Sequence, residues 1–148
     1  MQPSSAPHDV LLAEDDLDDV LIFKLAINKI PIVISLRHAK DGDMLFELLR
    51  QRIPDIIFLD INMPCKDGVS CIVEIRRHSE YNNVPVIMYT SYRGAKYIDE
   101  CYSNGANFYV LKGTTIAELA EKLKKIFSID WKSYIYYPPK SEFVLGAV

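Results

Sequence analysis

The chain alternates regularly between two hydrophobic patterns. Nearly uninterrupted apolar runs lie at 10–13, 32–39, 54–59, 84–89 and 108–111. Each run is followed by a segment in which apolar residues recur every three or four positions, at 16–28, 43–51, 69–78, 95–103 and 115–127. Uninterrupted runs are typical of strands buried on both faces of a sheet, and the longer spacing is typical of amphipathic helices. The pattern therefore predicts five strand–helix units.

Local signals support the first and last helical segments. Leu17, Leu21 and Leu25 recur on one face of the first segment. Before the last segment, Thr115 and Glu118 have the spacing of a capping box, in which each side chain accepts a hydrogen bond from the backbone N–H of the other residue. This spacing predicts that the last helix begins directly after Thr115.

Strand–helix units of this kind build one parallel sheet, because right-handed crossovers place a helix against the sheet between successive strands. We therefore predict an α/β fold with a doubly wound, five-stranded parallel sheet and helices on both faces. The expected strand order is 2-1-3-4-5, the flavodoxin-like arrangement. Ligands of such sheets bind beyond the carboxyl ends of the strands, so a functional site is expected at that edge.

Composition and charge narrow the class of protein. A chain of 148 residues with 49% hydrophobic content suits one domain with a sizeable core. The formal net charge of -3 offers no basic surface for nucleic acid, so no nucleic-acid partner is expected. No apolar run approaches the length of a membrane span, and the N-terminus lacks a signal-peptide pattern. We therefore expect no membrane association and a cytoplasmic location.

The domain is expected to carry a short segment at each end. Residues 1–8 are expected to form a flexible N-terminal tail, residues 9–128 the domain, and residues 129–148 an aromatic, proline-rich C-terminal extension. The aromatic residues before the proline pair are Trp131, Tyr134, Tyr136 and Tyr137. A monomer rarely leaves so much aromatic surface in water. The extension therefore either packs back on the domain or contacts a partner, such as a second copy in a homodimer.

Chemically active side chains follow four of the five predicted strands. They are Glu14, Asp15 and Asp16 after the first strand, Asp60 after the third, Thr90 and Ser91 after the fourth, and Lys112 after the fifth. A single aspartate after a strand is most often a helix cap, and Asp16 fits that role. The set as a whole converges on the carboxyl edge of the sheet, which is expected of a site.

The residue types at this edge suggest a reaction. Glu14, Asp15 and Asp60 would raise one another's pKa unless a cation lies among them, and Mg²⁺ suits a site with few protein carboxylates. A carboxylate beside Mg²⁺ and the ammonium of Lys112 is a competent nucleophile towards phosphorus. The residues therefore suggest reversible phosphorylation of an aspartate.

Four motifs carry a resemblance to a known family. They are "LLAEDD", "FLDINMPCKDG", "VIMYTS" and "YVLKG", in this order along the chain. Together they resemble the receiver domain of two-component response regulators, over roughly residues 8–128. Each motif alone is of weak to moderate specificity, whereas the four at these separations are highly specific.

The resemblance implies a role for each matching residue. Asp60 is the expected phosphoacceptor. The expected Mg²⁺ ligands are Glu14, Asp15, Asp60 and the backbone carbonyl of Asn62. The expected phosphate-binding residues are Thr90, Ser91 and Lys112, and the expected switch residues are Thr90 and Tyr109.

The resemblance also implies a function. We expect a stand-alone response regulator receiver that takes its phosphoryl group from a histidine kinase or a phosphotransfer protein. Its only chemistry would be Mg²⁺-dependent self-phosphorylation and autodephosphorylation, so it would not be an enzyme in the usual sense. It would signal to a downstream protein through a phosphorylation-switched surface at about residues 94–127.

Two alternatives remain open. An aspartyl-phosphate phosphatase of the haloacid-dehalogenase type needs a second aspartate two residues after the nucleophile, and Asn62 occupies that position. A pseudo-receiver, an interaction module without the chemistry, is disfavoured because competent residues occupy the active positions.

The chain departs from the family pattern at Gly113, where the family usually has a proline after a cis peptide bond. A cis bond before a non-proline residue costs ~2.5–4 kcal/mol. We therefore predict a trans peptide between Lys112 and Gly113. The flexible stem of the lysine should still bring its ammonium to Asp60.

Overall fold

A computed structural model describes residues 9–145 of the chain. The expected tail at residues 1–8 lies outside the described residues. The elements in chain order are β1 (Asp9–Ala13), α1 (Leu17–Ile27), β2 (Ser35–Ala39), α2 (Gly42–Gln51), β3 (Ile56–Leu59), α3 (Gly68–Arg77), a short 3₁₀ turn (Ser79–Tyr81), β4 (Val86–Thr90), α4 (Ala95–Ser103), β5 (Phe108–Leu111), α5 (Ile116–Phe127), α6 (Lys140–Phe143) and β6 (Val144–Leu145). Among these helices, none has both the length and the apolar character needed to cross a bilayer.

The strands form one parallel sheet in the order β2-β1-β3-β4-β5-β6. The order of the first five strands confirms the prediction. The sixth strand was not predicted: it has only two residues, and Val144 pairs with Tyr109 at the free edge of β5. Two residues are too few to produce a periodic pattern, so the contacts of the extension with the domain determine this strand.

The core consists of two apolar layers, one on each face of the sheet. Successive strand residues alternate between them: Leu11 belongs to one layer and Leu12 to the other. The first layer includes Leu45 of α2 and Ile72 of α3, and the second includes Phe23 of α1. Because both faces are covered, the residues of β3, β4 and β5 are all buried, and Thr90, the last residue of β4, lies at the carboxyl edge.

The leucines of α1 do not face the sheet. Leu17, Leu21 and Leu25 share a face as predicted, but they are 73%, 55% and 42% exposed. The sheet side of the helix carries Val20 and Phe23, which are buried. Apolar residues occupy both sides of this helix, so spacing alone does not identify the buried side. The result is an apolar stripe on the surface.

The second strand begins three residues later than the apolar run that predicts it. The run starts at Ile32, whereas β2 starts at Ser35. The backbone N–H of Ile32 donates to the carbonyl of Ile30 at 2.8 Å, in a turn, and the ladder with β1 begins at the pair of Asp9 and Ser35. A strand extends only as far as its neighbour offers partners.

The C-terminal extension packs back on the domain, which is the first of the two alternatives. Trp131 is buried and its indole N–H donates to the carbonyl of Ile126 at 2.9 Å. Phe143 is fully buried, with its ring centroid 5.0 Å from that of Tyr102 and 5.9 Å from that of Tyr109. The extension therefore contributes to the core of the domain.

The extension also lies across one face of the domain. The hydroxyl of Tyr102, in α4, donates to the carbonyl of Pro138 at 3.2 Å. Lys140 forms an ion pair with Asp99, also in α4. Together with β6 beside β5, these contacts cover part of the surface at residues 94–127.

We predict that Phe143→Ala destabilises the protein, because it removes a fully buried ring from between two tyrosines. The free energy of unfolding should fall by about 3 kcal/mol, as measured by urea unfolding. The exposed Tyr134 gives a matched control, since Tyr134→Ala should change it by about 0.5 kcal/mol or less. Equal effects of the two substitutions would contradict the packing of the extension.

Candidate functional site

The carboxyl edge of the sheet brings together side chains from three strand ends. Glu14 follows β1, Asp60 follows β3 and Lys112 follows β5. The Nζ of Lys112 lies 2.7 Å from Oε1 of Glu14 and 3.0 Å from Oδ2 of Asp60. The three residues are distant in sequence and meet because the strands run parallel.

The carboxylates at this edge form a cluster. Glu14, Asp15 and Asp60 each offer an oxygen, and these oxygens lie within 4.8 Å of one another. Oε1 of Glu14 is buried and lies 2.7 Å from the ammonium of Lys112. Three carboxylates that each offer an oxygen within 4.8 Å of the others are hard donors that fit a divalent cation such as Mg²⁺.

Asp60 is held by both of its oxygens. Oδ1 accepts a hydrogen bond from the backbone N–H of Ile61 at 2.7 Å, and Oδ2 accepts one from Lys112 at 3.0 Å. Gly68 begins α3 against this residue, and a Cβ there would lie only 2.2 Å from the carbonyl oxygen of Asp60. Glycine is therefore required, because any side chain would push α3 away from the site.

The other predicted site residues fall into two groups. Asn62 and Ser91 line a cavity of about 180 Å³ together with the carboxylates and Lys112. Thr90 is buried, and its Oγ1 accepts a hydrogen bond from the backbone N–H of Tyr92 at 3.3 Å. Tyr109 is also buried, and its hydroxyl donates to the carbonyl of Tyr92 at 2.6 Å. The two predicted switch residues thus both bond to the backbone of Tyr92, Thr90 to its N–H and Tyr109 to its carbonyl. Neither side chain lines the cavity.

The ionisation of the site reflects burial and charge. Burial raises the pKa of Glu14 to about 8; contact with Lys112 opposes this shift, and the charge of Asp60 adds to it. Burial alone would lower the pKa of Lys112, but its contacts with Asp19, Glu14 and Asp60 outweigh burial and raise the pKa above its usual value. At neutral pH the metal-free site therefore holds a proton on Glu14 and a charged lysine.

Two partners of Lys112 were not predicted from the sequence. Asp19, in α1, accepts a hydrogen bond from Nζ at 2.8 Å, and the ring centroid of Tyr89, in β4, lies 5.2 Å from the same atom. Asp16 is the N-cap of α1, as expected, and Asp19 lies one turn further along. This spacing places Asp19 on the same side of α1 as its cap, and it is the feature of the sequence from which a position near the site could have been predicted.

The backbone after Lys112 follows the predicted course. The peptide between Lys112 and Gly113 is trans, and Gly113 has a φ of +92°. Glycine adopts this conformation readily, whereas residues with a Cβ rarely do. The chain thereby turns towards α5, where Thr115 and Glu118 form the predicted capping box.

Comparison with known proteins agrees with the fold. The family model described as "Response regulator receiver domain" matches residues 10–124. The chain therefore belongs to the response regulator receiver domain family, whose members are phosphoacceptor signalling domains. This confirms the predicted family and the flavodoxin-like fold class.

Individual relatives are similar over much of the chain. Chemotaxis protein CheY-3 of Vibrio cholerae is 35% identical over 93 residues, which are 63% of this chain and 72% of that protein. The structure of the Mn²⁺-bound form of response regulator Rcp1, a protein of Synechocystis, has a TM-score of 0.74 and 25% identity, over 90% of this chain and 100% of that one. The phosphorylated cyanobacterial phytochrome response regulator RcpA has a TM-score of 0.75 and 26% identity, over 89% and 99%.

We predict that cation affinity depends on pH, because Glu14 must lose its proton to act as a ligand. The affinity for Mg²⁺, measured by calorimetry, should rise by up to about tenfold per pH unit from about pH 6 and level off above about 8, where Glu14 is ionised without the metal. In Glu14→Gln this dependence should disappear. A wild-type affinity that is constant over this range would contradict the assignment.

Proposed function

We propose that this protein acts as a phosphoacceptor receiver in a two-component signalling system. It accepts a phosphoryl group on Asp60 from a histidine kinase or a phosphotransfer protein, and it signals in the cytoplasm to a downstream protein. One observation carries the proposal: Asp60 is 3.0 Å from the ammonium of Lys112 and belongs to the cluster of three carboxylates. A nucleophile, a fixed positive charge and a set of metal ligands are the parts that phosphoryl transfer requires.

The proposed reaction is an in-line displacement. A carboxylate oxygen of Asp60 attacks the phosphorus and forms a new P–O bond. The bond from phosphorus to the donor atom breaks, and the donor atom, a histidine nitrogen or an acetate oxygen, keeps the electron pair. Lys112 donates to a phosphoryl oxygen, and the N–H of Ile61 keeps the carboxylate oriented. Water later hydrolyses the acyl phosphate and restores Asp60.

Mg²⁺ is the cation that we propose for the cluster. Glu14, Asp15, Asp60 and the backbone carbonyl of Asn62 would hold it, directly or through water. When bound, Mg²⁺ supplies positive charge that stabilises the transferring phosphoryl group. Lys112 balances the charge of Asp60 in the metal-free protein, and the cation would balance the further charge that Glu14 gains when it loses its proton.

The proposed switch links the site to the C-terminal extension. A phosphoryl group on Asp60 attracts the hydroxyl of Thr90, and the space that this movement leaves allows Tyr109 to turn. The ring of Tyr109 packs against Phe143, so its movement disturbs the packing of α6 and β6. We therefore extend the downstream surface from residues 94–127 to include residues 138–145.

Hydrogen exchange tests this larger surface. Fluoroberyllate with Mg²⁺, a mimic of the phosphoryl group, should raise the exchange rate of the backbone amides of Val144 and Leu145, which pair with β5. Asp60→Asn serves as the control and should show no change. If exchange at these amides is unaffected in the wild type, the switched surface does not include the extension.

We predict that acetyl phosphate and Mg²⁺ add one phosphoryl group to the wild-type protein, as measured by intact mass, and that Asp60→Asn remains unlabelled because the attacking carboxylate is gone. Asp18→Asn, an exposed position in α1, should be labelled like the wild type. Label on Asp60→Asn would move the acceptor elsewhere, and an unlabelled wild type would favour the pseudo-receiver. Turnover of a generic phosphate ester would favour the phosphatase.

A further inference from the structure

Lys112 has two sets of partners. Glu14 and Asp60 belong to the carboxylate cluster. Asp19, 2.8 Å from Nζ, and the ring of Tyr89, 5.2 Å away, do not belong to it. The second pair comes from α1 and β4, and the sequence motifs give neither residue a role.

The fold fixes the position of Asp19. The side chain of Asp16 caps α1 and accepts hydrogen bonds from the backbone N–H of Asp18 at 2.9 Å and of Asp19 at 3.4 Å. The carboxylate of Asp19 is therefore presented by the first, capped turn of a helix packed on the domain. The side chains of Lys112 and Asp19 are only 10% and 25% exposed, so water screens this ion pair less than one on the surface.

Asp19 differs from the other partners of the lysine because it lies outside the cluster. A cation among Glu14, Asp15 and Asp60 draws on the charge of all three carboxylates. Asp19 then remains the one carboxylate among the described partners of Lys112 that is not engaged by the cation.

The flexibility of Lys112 and of the backbone beside it is a reason for a fixed counter-ion such as Asp19. The next residue, Gly113, has a φ of +92°, and glycine restricts the backbone less than other residues do. The lysine side chain has a flexible four-carbon stem, and its ammonium acts as a point charge without fixed geometry. A counter-ion on a rigid helix compensates for this freedom.

We propose that Asp19 is a positioning residue, which holds the ammonium of Lys112 where it meets the phosphoryl group on Asp60. The role deepens the proposed function and rests on it. The carboxylate of Asp19 forms an ion pair with the lysine, so its contribution to phosphorylation acts through Lys112. Without it, the lysine spends part of its time away from the reacting group, and transfer slows.

The test compares rates of phosphorylation by acetyl phosphate at saturating Mg²⁺. Asp19→Asn keeps the shape of the side chain but removes its charge, and it should slow labelling about tenfold. Asp18→Asn, the adjacent exposed position, should stay within about twofold of the wild type. Asp19→Glu should recover part of the rate because it restores a carboxylate. In a Lys112→Ala background, Asp19→Asn should not change the labelling rate further. If Asp19 had only a structural role, the substitution would slow labelling in both backgrounds.

Unfolding of the metal-free protein tests the pair independently of phosphorylation. Asp19→Asn should lower the urea midpoint in the wild type, and in Lys112→Ala it should raise the midpoint, because without the lysine Asp19 only repels the nearby carboxylates. Additive midpoints, or a wild-type labelling rate in Asp19→Asn, would overturn the inference. A wild type that is not labelled would overturn the proposed function, while the unfolding cycle would still decide whether Asp19 holds Lys112.

Discussion

The ammonium of Lys112 is the charge on which the site depends. It lies within 3.0 Å of carboxylate oxygens from Glu14, Asp19 and Asp60, in a region largely shielded from water. Carboxylates placed this close repel one another strongly unless a positive charge lies among them. Burial, together with the charge of Asp60, raises the pKa of Glu14 even though Lys112 is in contact with it. A divalent cation among the carboxylates would add positive charge that stabilises the ionised form of Glu14.

The parallel sheet explains how these groups meet. Its strands β3, β4 and β5 are buried on both faces, and none of them carries a charged residue before the carboxyl edge. Asp60 and Lys112 each occupy the first position beyond a buried strand. Gly68 lets α3 approach the loop of Asp60, and the cap of α1 sets the direction of Asp19. The fold thus determines the geometry of the site through strand ends and helix starts.

The extension adds a second consequence of the same sheet. An edge strand offers unpaired backbone groups, and β6 pairs with those of β5. The ring of Phe143 then lies against Tyr109, whose hydroxyl bonds to the backbone of Tyr92 beside the site. These contacts connect the C-terminal segment to the backbone of Tyr92. The downstream surface that we propose therefore includes both the domain and its extension.

Sequence patterns predicted the features that repeat or that follow directly from strand ends. The order of the first five strands and the meeting of Glu14, Asp60 and Lys112 follow from apolar runs and their last residues. The exposed side of α1 was not predictable from spacing, because both sides of that helix are apolar.

Two further features depend on contacts distant in sequence. The strand β6 is too short for a pattern, and its pairing depends on contacts of the extension with α4 and β5. The role of Asp19 appears only when α1 is placed beside the end of β5, 93 residues away in sequence. The helical spacing from Asp16 indicates the position of Asp19 in α1, but it does not identify Lys112 as its partner.

We propose that Asp60 and Lys112 together receive the phosphoryl group. A crystal structure of the protein with Mg²⁺ and fluoroberyllate would show this arrangement. We expect beryllium bonded to a carboxylate oxygen of Asp60, with Nζ of Lys112 at hydrogen-bond distance, about 3 Å, from a fluorine. Fluoroberyllate bound at another residue, or Lys112 turned away from it, would contradict the claim.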